Sequence, residues 1–144
     1  MYEIRPARSE DVEAICEIAE KAWEPIFKMY RIHLGNELFA ILWPDWKAIK
    51  RREVCEHFDK YPEWMMVTEN DGKVVGFTSF YLDRKKKIGE IGNNAVLPEY
   101  QGRGIGTAQN LKVLEIMRKE GMACARVSTG LDESHAPARA VYKK

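Results

Sequence analysis

A glycine-rich segment, Gln101-Gly102-Arg103-Gly104-Ile105-Gly106, is the part of this sequence whose residue types and spacing most clearly indicate chemistry. It follows an apolar run that includes Val96, and it precedes a helical pattern over residues 107–120. Glycine tolerates positive φ and lets a backbone approach a ligand closely. The first N–H groups of a helix lack partners within the helix, so together with the helix dipole they attract an anion. Because Arg103 adds a full positive charge, the segment predicts a site for a phosphorylated small molecule.

The spacing of the glycines excludes two common phosphate-binding loops. A nucleoside-triphosphate loop needs Gly-Lys followed by Ser or Thr, and that pair is absent here. The dinucleotide fingerprint, G-x-G-x-x-G, needs a third glycine. This chain has Thr107 at that place if the pattern starts at Gly102, and Gln109 if it starts at Gly104. The pattern that fits is Q-x-x-G-x-G after a strand, which resembles the acetyl-coenzyme A loop of the GNAT superfamily of N-acetyltransferases. The alternative is an ordinary turn between a strand and a helix.

The GNAT resemblance implies that acetyl-CoA is the cofactor and that it contacts the end of the strand, the loop and the start of the helix. The implied contact residues are Asn94, Ala95, Val96, Gln101, Gly102, Arg103, Gly104, Ile105, Gly106 and Thr107. In the family, the backbone of the strand segment hydrogen-bonds pantetheine. Asn93 and Asn94 are unusual inside a strand, so we expect a β-bulge there, although they could simply close the strand.

Acetyl transfer to an amine requires a base, since a free lysine-type amine has a pKa of about 10.4 and its ammonium form has no lone pair. Glu90 lies in the strand that leads to the glycine loop, at a position that resembles that of the general-base glutamate in many GNAT enzymes. The alternative is a glutamate that faces solvent or pairs with a lysine of the turn over residues 83–87. We expect no metal site, because the spacing of the three cysteines is not typical of one.

Tyr142 lies in a C-terminal stretch, residues 138–144, that resembles the last-helix motif of the family. The family tyrosine often protonates the departing thiolate, whose thiol should have a pKa of about 8.5. The alternative is an ordinary amphipathic tyrosine. His135 stands where many relatives have a cofactor-contacting asparagine, so it is a candidate cofactor ligand, a helix cap, or neither.

The chain stops at Lys144, where relatives usually continue with two further strands. We therefore expect a single GNAT-like domain over residues 1–144 that is C-terminally incomplete relative to the family. An uncovered sheet edge can pair with another chain, so a homodimer is possible.

The elements that must position these residues can be read from the hydrophobic periodicity. We expect strands over residues 2–7, 64–69, 73–82, 88–96 and 122–128. We expect one helix that ends near Pro25, a second capped by Asp45, a third over residues 107–120 and a last one from His135 onward. The third should bury Ala108, Leu111, Leu114 and Met117. This order predicts an α+β fold with a mixed, mostly antiparallel sheet, in which a helical crossover makes the strands around the third helix parallel. The resemblance implies that those two strands splay apart around the cofactor.

The composition excludes several classes of protein. The net charge is +1, with acids and bases mixed along the chain, which argues against a dedicated nucleic-acid or membrane-surface protein. Cys16, Cys55 and Cys124 are scattered, which favours reduced thiols, core positions and a cytoplasmic location over a disulfide framework. No apolar run is long enough to span a bilayer.

The sequence therefore predicts an acetyl-CoA-dependent N-acetyltransferase that acts on a small-molecule or peptide amine by direct attack in a ternary complex. Residues 23–64 should supply the acceptor pocket, with Trp23, Tyr30, His33, Trp43 and Trp46 as candidate lining, although most of these could be core residues instead. One alternative function is a non-catalytic acyl-CoA-binding sensor or assembly module. A second is a protein-interaction domain without a cofactor.

Overall fold

The computed structural model describes residues 1–127, which form a five-stranded sheet in the order β1-β2-β3-β4-β5. The strands are β1 (Tyr2–Pro6), β2 (Met65–Asn70), β3 (Lys73–Asp83), β4 (Ile88–Val96) and β5 (Cys124–Val127). The helices are α1 (Val12–Leu34), α2 (Asn36–Leu42), α3 (Trp46–Lys60) and α4 (Ile105–Lys119). Neighbouring strands from β1 to β4 are antiparallel, and β4 and β5 are parallel across the α4 crossover. The predicted α+β class and the parallel pair are therefore confirmed.

Helices pack on both faces of the sheet. On one face, Ile15 of α1 and Val54 of α3 join Phe77 of β3 in a continuous apolar core. On the other, Val113 and Met117 of α4 lie in a core with Phe80 and Ile91, among others. Since successive strand residues point to opposite faces, β3 contributes Phe77 and Phe80 to different cores although they are close in sequence.

The turns and helix caps that the sequence predicts are confirmed at several ends of strands and helices. The β2–β3 turn contains Asp71 and Gly72, both with positive φ (50° and 85°), as the Asn-Asp-Gly sequence predicts. The Asp45 carboxylate accepts a hydrogen bond of 3.2 Å from the amide of Ala48 at the start of α3. Gly121, with a φ of 81°, follows the end of α4.

The first helix does not end at Pro25, and that prediction is wrong. Helix α1 continues to Leu34 with Pro25 inside it, and much of the segment that follows, which looked irregular in sequence, belongs to α1 and α2. A proline inside a helix costs about 3 kcal/mol because it removes one hydrogen bond and crowds the preceding turn. Pro25 lies on the exposed side, and the next residues, Ile26 and Phe27, are buried. Burial of these two side chains offsets the cost.

The buried face of α4 also differs from the prediction. Leu111 is 57% exposed and Ala108 is exposed, whereas Met117 is buried as expected. The buried face instead includes two polar residues, Gln109 and Asn110. The prediction assumed that the apolar residues of α4 face inward. Because polar side chains occupy two of the inward positions, the predicted buried face lies about one residue away from the observed one.

The cysteines were all expected in the core, and this holds only for Cys16. Cys55 on α3 and Cys124 at the start of β5 are exposed. Burial raises the pKa of the Cys16 thiol to about 11. Cys16 is therefore an unreactive apolar packing residue.

Two further kinds of feature are not found in residues 1–127. None of their helices has the length and apolar character that a membrane crossing requires. In the same part of the chain, His, Cys, Asp and Glu side chains form no group of three or more that could hold a metal ion.

Candidate functional site

The glycine loop lies between β4 and α4, as predicted, and its backbone is left-handed at two positions. Gly102 and Gly104 have φ values of 79° and 83°, and Gly104 is the N-cap of α4. The first helical hydrogen bond runs from the amide of Ala108 to the carbonyl of Gly104, at 3.0 Å. Within residues 1–127, the amides of residues 102–107 donate no hydrogen bond. The loop therefore presents a run of unpaired donors at the positive end of a helix dipole.

The side chains around this loop anchor it and leave mainly backbone at the surface. Ile105, Ala95 and Val96 are buried in the core shared with α1. Gln101 donates from its side-chain amide to the carbonyl of Val96 at 3.2 Å, which ties the loop to the end of β4. Arg103 is exposed, with its guanidinium 5.0 Å from the centre of the Tyr100 ring. Of these side chains, only that of Arg103 carries a charge that can attract a ligand, and its guanidinium also donates a 3.5 Å hydrogen bond to the Tyr2 hydroxyl.

A β-bulge interrupts β4 just before this loop, as predicted. Thr78 pairs with Asn94 but Phe80 pairs with Ile91, so one residue of β3 faces two residues of β4. The amide of Asn93 donates to Ser79 Oγ at 3.0 Å, and Thr78 Oγ1 donates to the carbonyl of Asn93 at 2.9 Å. Two hydroxyl groups of β3 therefore fix the bulge, and sequence reasoning missed both.

The described pairing between the parallel strands reaches Val127, the last described residue, which lies opposite Ile91 just before the bulge. Strand β5 pairs with β4 from Ile88 to Ile91. Within residues 1–127, residues 92–96 have no strand partner on that edge. The predicted splay of the two strands concerns the chain after Val127, which lies outside the described residues.

A buried amide network joins the bulge to α4, and the sequence analysis missed it. Gln109 is fully buried, and its side-chain oxygen accepts a 2.7 Å hydrogen bond from Thr68 Oγ1. Its side-chain nitrogen donates to Asn94 Oδ1 at 2.7 Å and to the carbonyl of Phe77 at 3.1 Å. Asn94 in turn donates to the carbonyl of Gly106 at 3.1 Å. The available clue in the sequence was that Gln109 lies one helical turn from Ile105 and from Val113, on the same face as these two apolar residues.

Glu90 lies in a row of three side chains that crosses β3, β4 and β5. Tyr81 is directly opposite Glu90, and Glu90 is directly opposite Arg126. The Arg126 guanidinium donates to Glu90 Oε2 at 3.2 Å, and the Glu90 side chain is 39% exposed. Glu90 therefore pairs with an arginine of β5. It does not pair with a lysine of the preceding turn, which was the alternative. The row places a phenol, a carboxylate and a guanidinium together on the face of the sheet opposite α4.

Helix α3 borders this row through His57. The His57 ring packs edge-on against Tyr81, with ring centres 4.7 Å apart, and Tyr61 also contacts both rings. His57 Nε2 lies 3.1 Å from the carbonyl of Trp64, which assigns the proton to that nitrogen. Burial lowers the pKa of His57, so the imidazole is neutral at pH 7.

The predicted acceptor region contains an aromatic cleft. Trp23, Tyr30, Trp43 and Trp46 line a cavity of about 240 Å³. His33, the other candidate, is exposed on α1 and does not line it. Phe27, which the prediction did not name, also forms part of the wall. The candidate catalytic Tyr142 and the candidate cofactor ligand His135 lie outside the described residues.

Several curated proteins that are similar to this chain in sequence are named N-acetyltransferases. Over 95 residues the chain is 33% identical to an uncharacterized N-acetyltransferase of Archaeoglobus fulgidus, covering 60% of this chain and 65% of that protein. It is 28% identical to a second one, from Methanocaldococcus jannaschii, over 94% of this chain and 56% of that protein. The chain thus spans less than two thirds of either archaeal relative. It is also 29% identical to the aminoalkylphosphonate N-acetyltransferase of Salmonella typhimurium, over 90% of this chain and 84% of that enzyme.

Solved structures share the fold. The PaiA N-acetyltransferase of Thermoplasma acidophilum, in complex with coenzyme A, superimposes with a TM-score of 0.72 at 21% identity, over 99% of this chain and 87% of that one. A GNAT family acetyltransferase of Brucella melitensis, in complex with acetyl-CoA, gives a TM-score of 0.63 at 23% identity, over 92% and 79% of the two chains. The sequence profile of the acetyltransferase (GNAT) family matches residues 13–144. Because this match covers most of the chain, the chain belongs to the acetyltransferase (GNAT) family.

Proposed function

We propose that the protein transfers an acetyl group from acetyl-CoA to an amine by direct attack in a ternary complex. The observation that carries this proposal is the loop at the start of α4, which has two left-handed glycines and whose amides at residues 102–107 donate no hydrogen bond within residues 1–127. Family membership supports acetyl transfer, and the names of the curated relatives support an amine acceptor. These relatives favour an enzyme over a non-catalytic binding module.

The residues present fit the cofactor. Amides of residues 102–107 would hold the diphosphate, with Arg103 adding charge, because helix N-termini favour anions. The backbone of residues 92–96, on the side of β4 that faces away from β3, would hold the pantetheine arm through hydrogen bonds. When bound, acetyl-CoA supplies an acetyl group activated as a thioester. The side chains of Ala95, Val96 and Ile105 serve only as anchors, since they are buried.

We assign proton transfer to two residues. The Glu90 carboxylate would remove a proton from the acceptor nitrogen, directly or through a water molecule, and its partial exposure leaves it accessible. Tyr142 would donate its phenolic proton to the sulfur of the departing thiolate, an assignment that rests on the C-terminal motif alone. None of the three cysteines is needed, because the acetyl group passes directly to the amine.

Calorimetry with coenzyme A, followed by an acetyl-transfer assay on a panel of amines, tests the proposal. We expect saturable binding of coenzyme A and transfer to at least one amine. Absence of binding would overturn the cofactor assignment, and binding without transfer to any amine would favour the non-catalytic module.

Glu90→Gln tests the base. We expect kcat to fall by about 10²–10⁴ while the affinity for coenzyme A stays within twofold. The loss in kcat should become smaller as the pH rises toward the pKa of the amine, because more of the amine is then already deprotonated and needs no base. Glu99→Gln, an exposed change outside the row, is the matched control and should leave kcat unaltered. An unchanged kcat in Glu90→Gln would remove this residue from the mechanism.

A further inference from the structure

Helices α1 and α3 pack against each other in opposite directions. At one end of the contact, the ring of Phe27 on α1 stacks on the ring of Trp46 on α3, with ring centres 4.5 Å apart. Nearer the start of α1, the Glu20 carboxylate accepts a 2.6 Å hydrogen bond from Nε of Arg51, which lies further along α3. Because a lower residue number on α1 meets a higher one on α3, the helices are antiparallel. The next turn of each helix therefore continues the same contact.

That next turn carries a cysteine on each helix. Cys16 lies four residues before Glu20, and Cys55 lies four residues after Arg51, so each cysteine shares a helix face with a residue of the ion pair. The Arg51 guanidinium also donates to Glu13 at 3.0 Å, so it spans the turn of α1 that contains Cys16. Burial raises the pKa of the Cys16 thiol, and so do the proximity of Cys55 and a hydrogen bond between the two thiols. The two sulfur atoms therefore face each other between α1 and α3.

The two thiols differ in their access to solvent. Cys55 is exposed, whereas Cys16 is only 2% exposed and packs in the core that contains Val54. A reagent in solution can therefore reach Cys55, while burial makes Cys16 unreactive toward the same reagent. Cys16 does not need that access to react with Cys55, because contact between two groups replaces a collision in solution. An exposed thiol beside a second, resolving thiol is typical of redox-sensitive cysteines.

We propose that Cys16 and Cys55 form an oxidisable pair, at which a hydroperoxide converts two thiols into a disulfide that joins α1 to α3. With hydrogen peroxide, the Cys55 thiolate attacks one oxygen, a sulfur–oxygen bond forms, the oxygen–oxygen bond breaks, and hydroxide leaves. The Cys55 sulfur is thereby oxidised by two electrons to a sulfenic acid, and the peroxide is reduced.

The second step closes the disulfide. The Cys16 sulfur attacks the Cys55 sulfur, a sulfur–sulfur bond forms, the sulfur–oxygen bond breaks, and the hydroxide leaves as water with the proton of the Cys16 thiol. In total, two thiols and one hydrogen peroxide give one disulfide and two water molecules. This chemistry is independent of the proposed acetyl transfer, which uses neither thiol.

Peptide mapping of the oxidised protein tests the pair. The full chain is reduced, freed of reductant, treated with hydrogen peroxide while folded, and then alkylated in denaturant and digested for mass spectrometry. We expect the peptides that contain Cys16 and Cys55 to be joined by a disulfide, Cys124 to lie outside that bond, and dithiothreitol to restore both thiols. Recovery of Cys16 as a free thiol, while Cys55 carries a sulfinic acid or is bonded to another chain, would overturn the proposal.

Single replacements test the order of the two steps. In Cys16→Ala, which keeps a small apolar side chain at the buried position, Cys55 should proceed to a sulfinic acid that dithiothreitol does not reduce. In Cys55→Ser, a change at an exposed position, oxidation of Cys16 should slow by at least about tenfold, because the buried thiol loses the partner that holds the reacting sulfur against it. Oxidation of Cys16 at an unchanged rate in Cys55→Ser would show that peroxide reaches the buried thiol directly, and would overturn the proposal.

Cys124→Ser is the matched control. It removes the other exposed thiol, at the start of β5, and leaves both members of the pair in place. The yield of the Cys16–Cys55 disulfide and its reversal by dithiothreitol should stay the same as in the unmodified protein. Loss of the disulfide in this variant would mean that Cys124 transfers the oxidation, and that contact between Cys16 and Cys55 does not determine the product.

Discussion

The side chains of Gln109 and Asn94 are joined by a 2.7 Å hydrogen bond between the buried face of α4 and the bulge of β4. Asn94 also bonds the carbonyl of Gly106, in the first turn of the same helix. The start of α4 and the bulged part of β4 are thus held at a fixed separation by buried polar contacts. In the proposed function these two segments hold adjacent parts of one cofactor, its diphosphate and its pantetheine arm, so the network pre-organises the site.

Replacing Gln109 with methionine, which has a similar length, should therefore affect both stability and binding. The change leaves Thr68 and Asn94 without their buried partners, at a cost of about 1–3 kcal/mol for each group. We expect a lower free energy of unfolding in urea and a weaker affinity for coenzyme A by calorimetry.

Leu111→Met is the matched control for this change. Leu111 lies on the same helix but is largely exposed, so we expect an effect on unfolding within about 0.5 kcal/mol. Should the two variants prove equally stable, the network would not contribute to the fold.

The conformation of Gly104 gives a second prediction. Apart from its chain neighbours, a Cβ at this position would meet no atom of residues 1–127 within 4 Å, so in this part of the chain the left-handed backbone is what limits a substitution. Gly104→Ala should cost about 1–2 kcal/mol in that conformation or force the loop to rearrange. We expect at least a tenfold loss of coenzyme A affinity, measured by calorimetry, because the amides of the loop would move.

Gly72→Ala supplies a control with the same backbone penalty. Gly72 has a φ of 85° and equally open surroundings, but it lies in the β2–β3 turn. Its replacement should lower stability similarly while leaving coenzyme A binding intact. A matching loss of affinity in both variants would show that general destabilisation, and not the loop, is responsible.

The Arg5–Asp11 ion pair predicts a dependence of stability on pH. Arg5 Nη1 lies 2.7 Å from Asp11 Oδ2, the side chains are 12% and 6% exposed, and Arg5 also contacts Glu69. The hydrogen bond from Arg5 holds the pKa of Asp11 below its usual range. Because the folded-state pKa is lowered, the stabilisation is present above the unfolded pKa of about 3.9 and is lost as the pH falls through the lower folded pKa.

Asp11→Asn should accordingly destabilise the protein by about 3–5 kcal/mol at pH 7. The difference from the unmodified protein should stay constant down to about pH 5 and shrink below about pH 4, as measured by urea unfolding at several pH values. Glu10→Gln, which alters an exposed neighbour, should have little effect at any pH. A difference that does not change with pH would contradict the assignment to Asp11.

Thiol reactivity should differ sharply between α1 and α3. Cys16 is buried with a raised pKa, while Cys55 is exposed. At pH 8, iodoacetamide should modify Cys55 in the folded protein and Cys16 only after unfolding, as peptide mass spectrometry can show. Modification of both at equal rates would mean that Cys16 is accessible.

The sequence by itself determined the features that depend on neighbouring residues. The glycines at positions 102 and 104, the Asp71-Gly72 turn and the Asp45 cap were all predicted, because backbone φ preferences and unpaired helix-end groups act within a few residues. The bulge was also predicted, because asparagines are poor strand residues. These local signals were sufficient to identify the fold class and the family.

Only the tertiary structure decided the features whose partners are distant in the chain. Thr68 and Gln109 are 41 residues apart, and Glu90 and Arg126 are 36 apart. A buried hydrogen bond makes a glutamine stable on the inward face of α4, and burial of Phe27 carries α1 past Pro25. In both cases the free energy of long-range contacts exceeds the local preference, and a single sequence does not reveal which residues will meet.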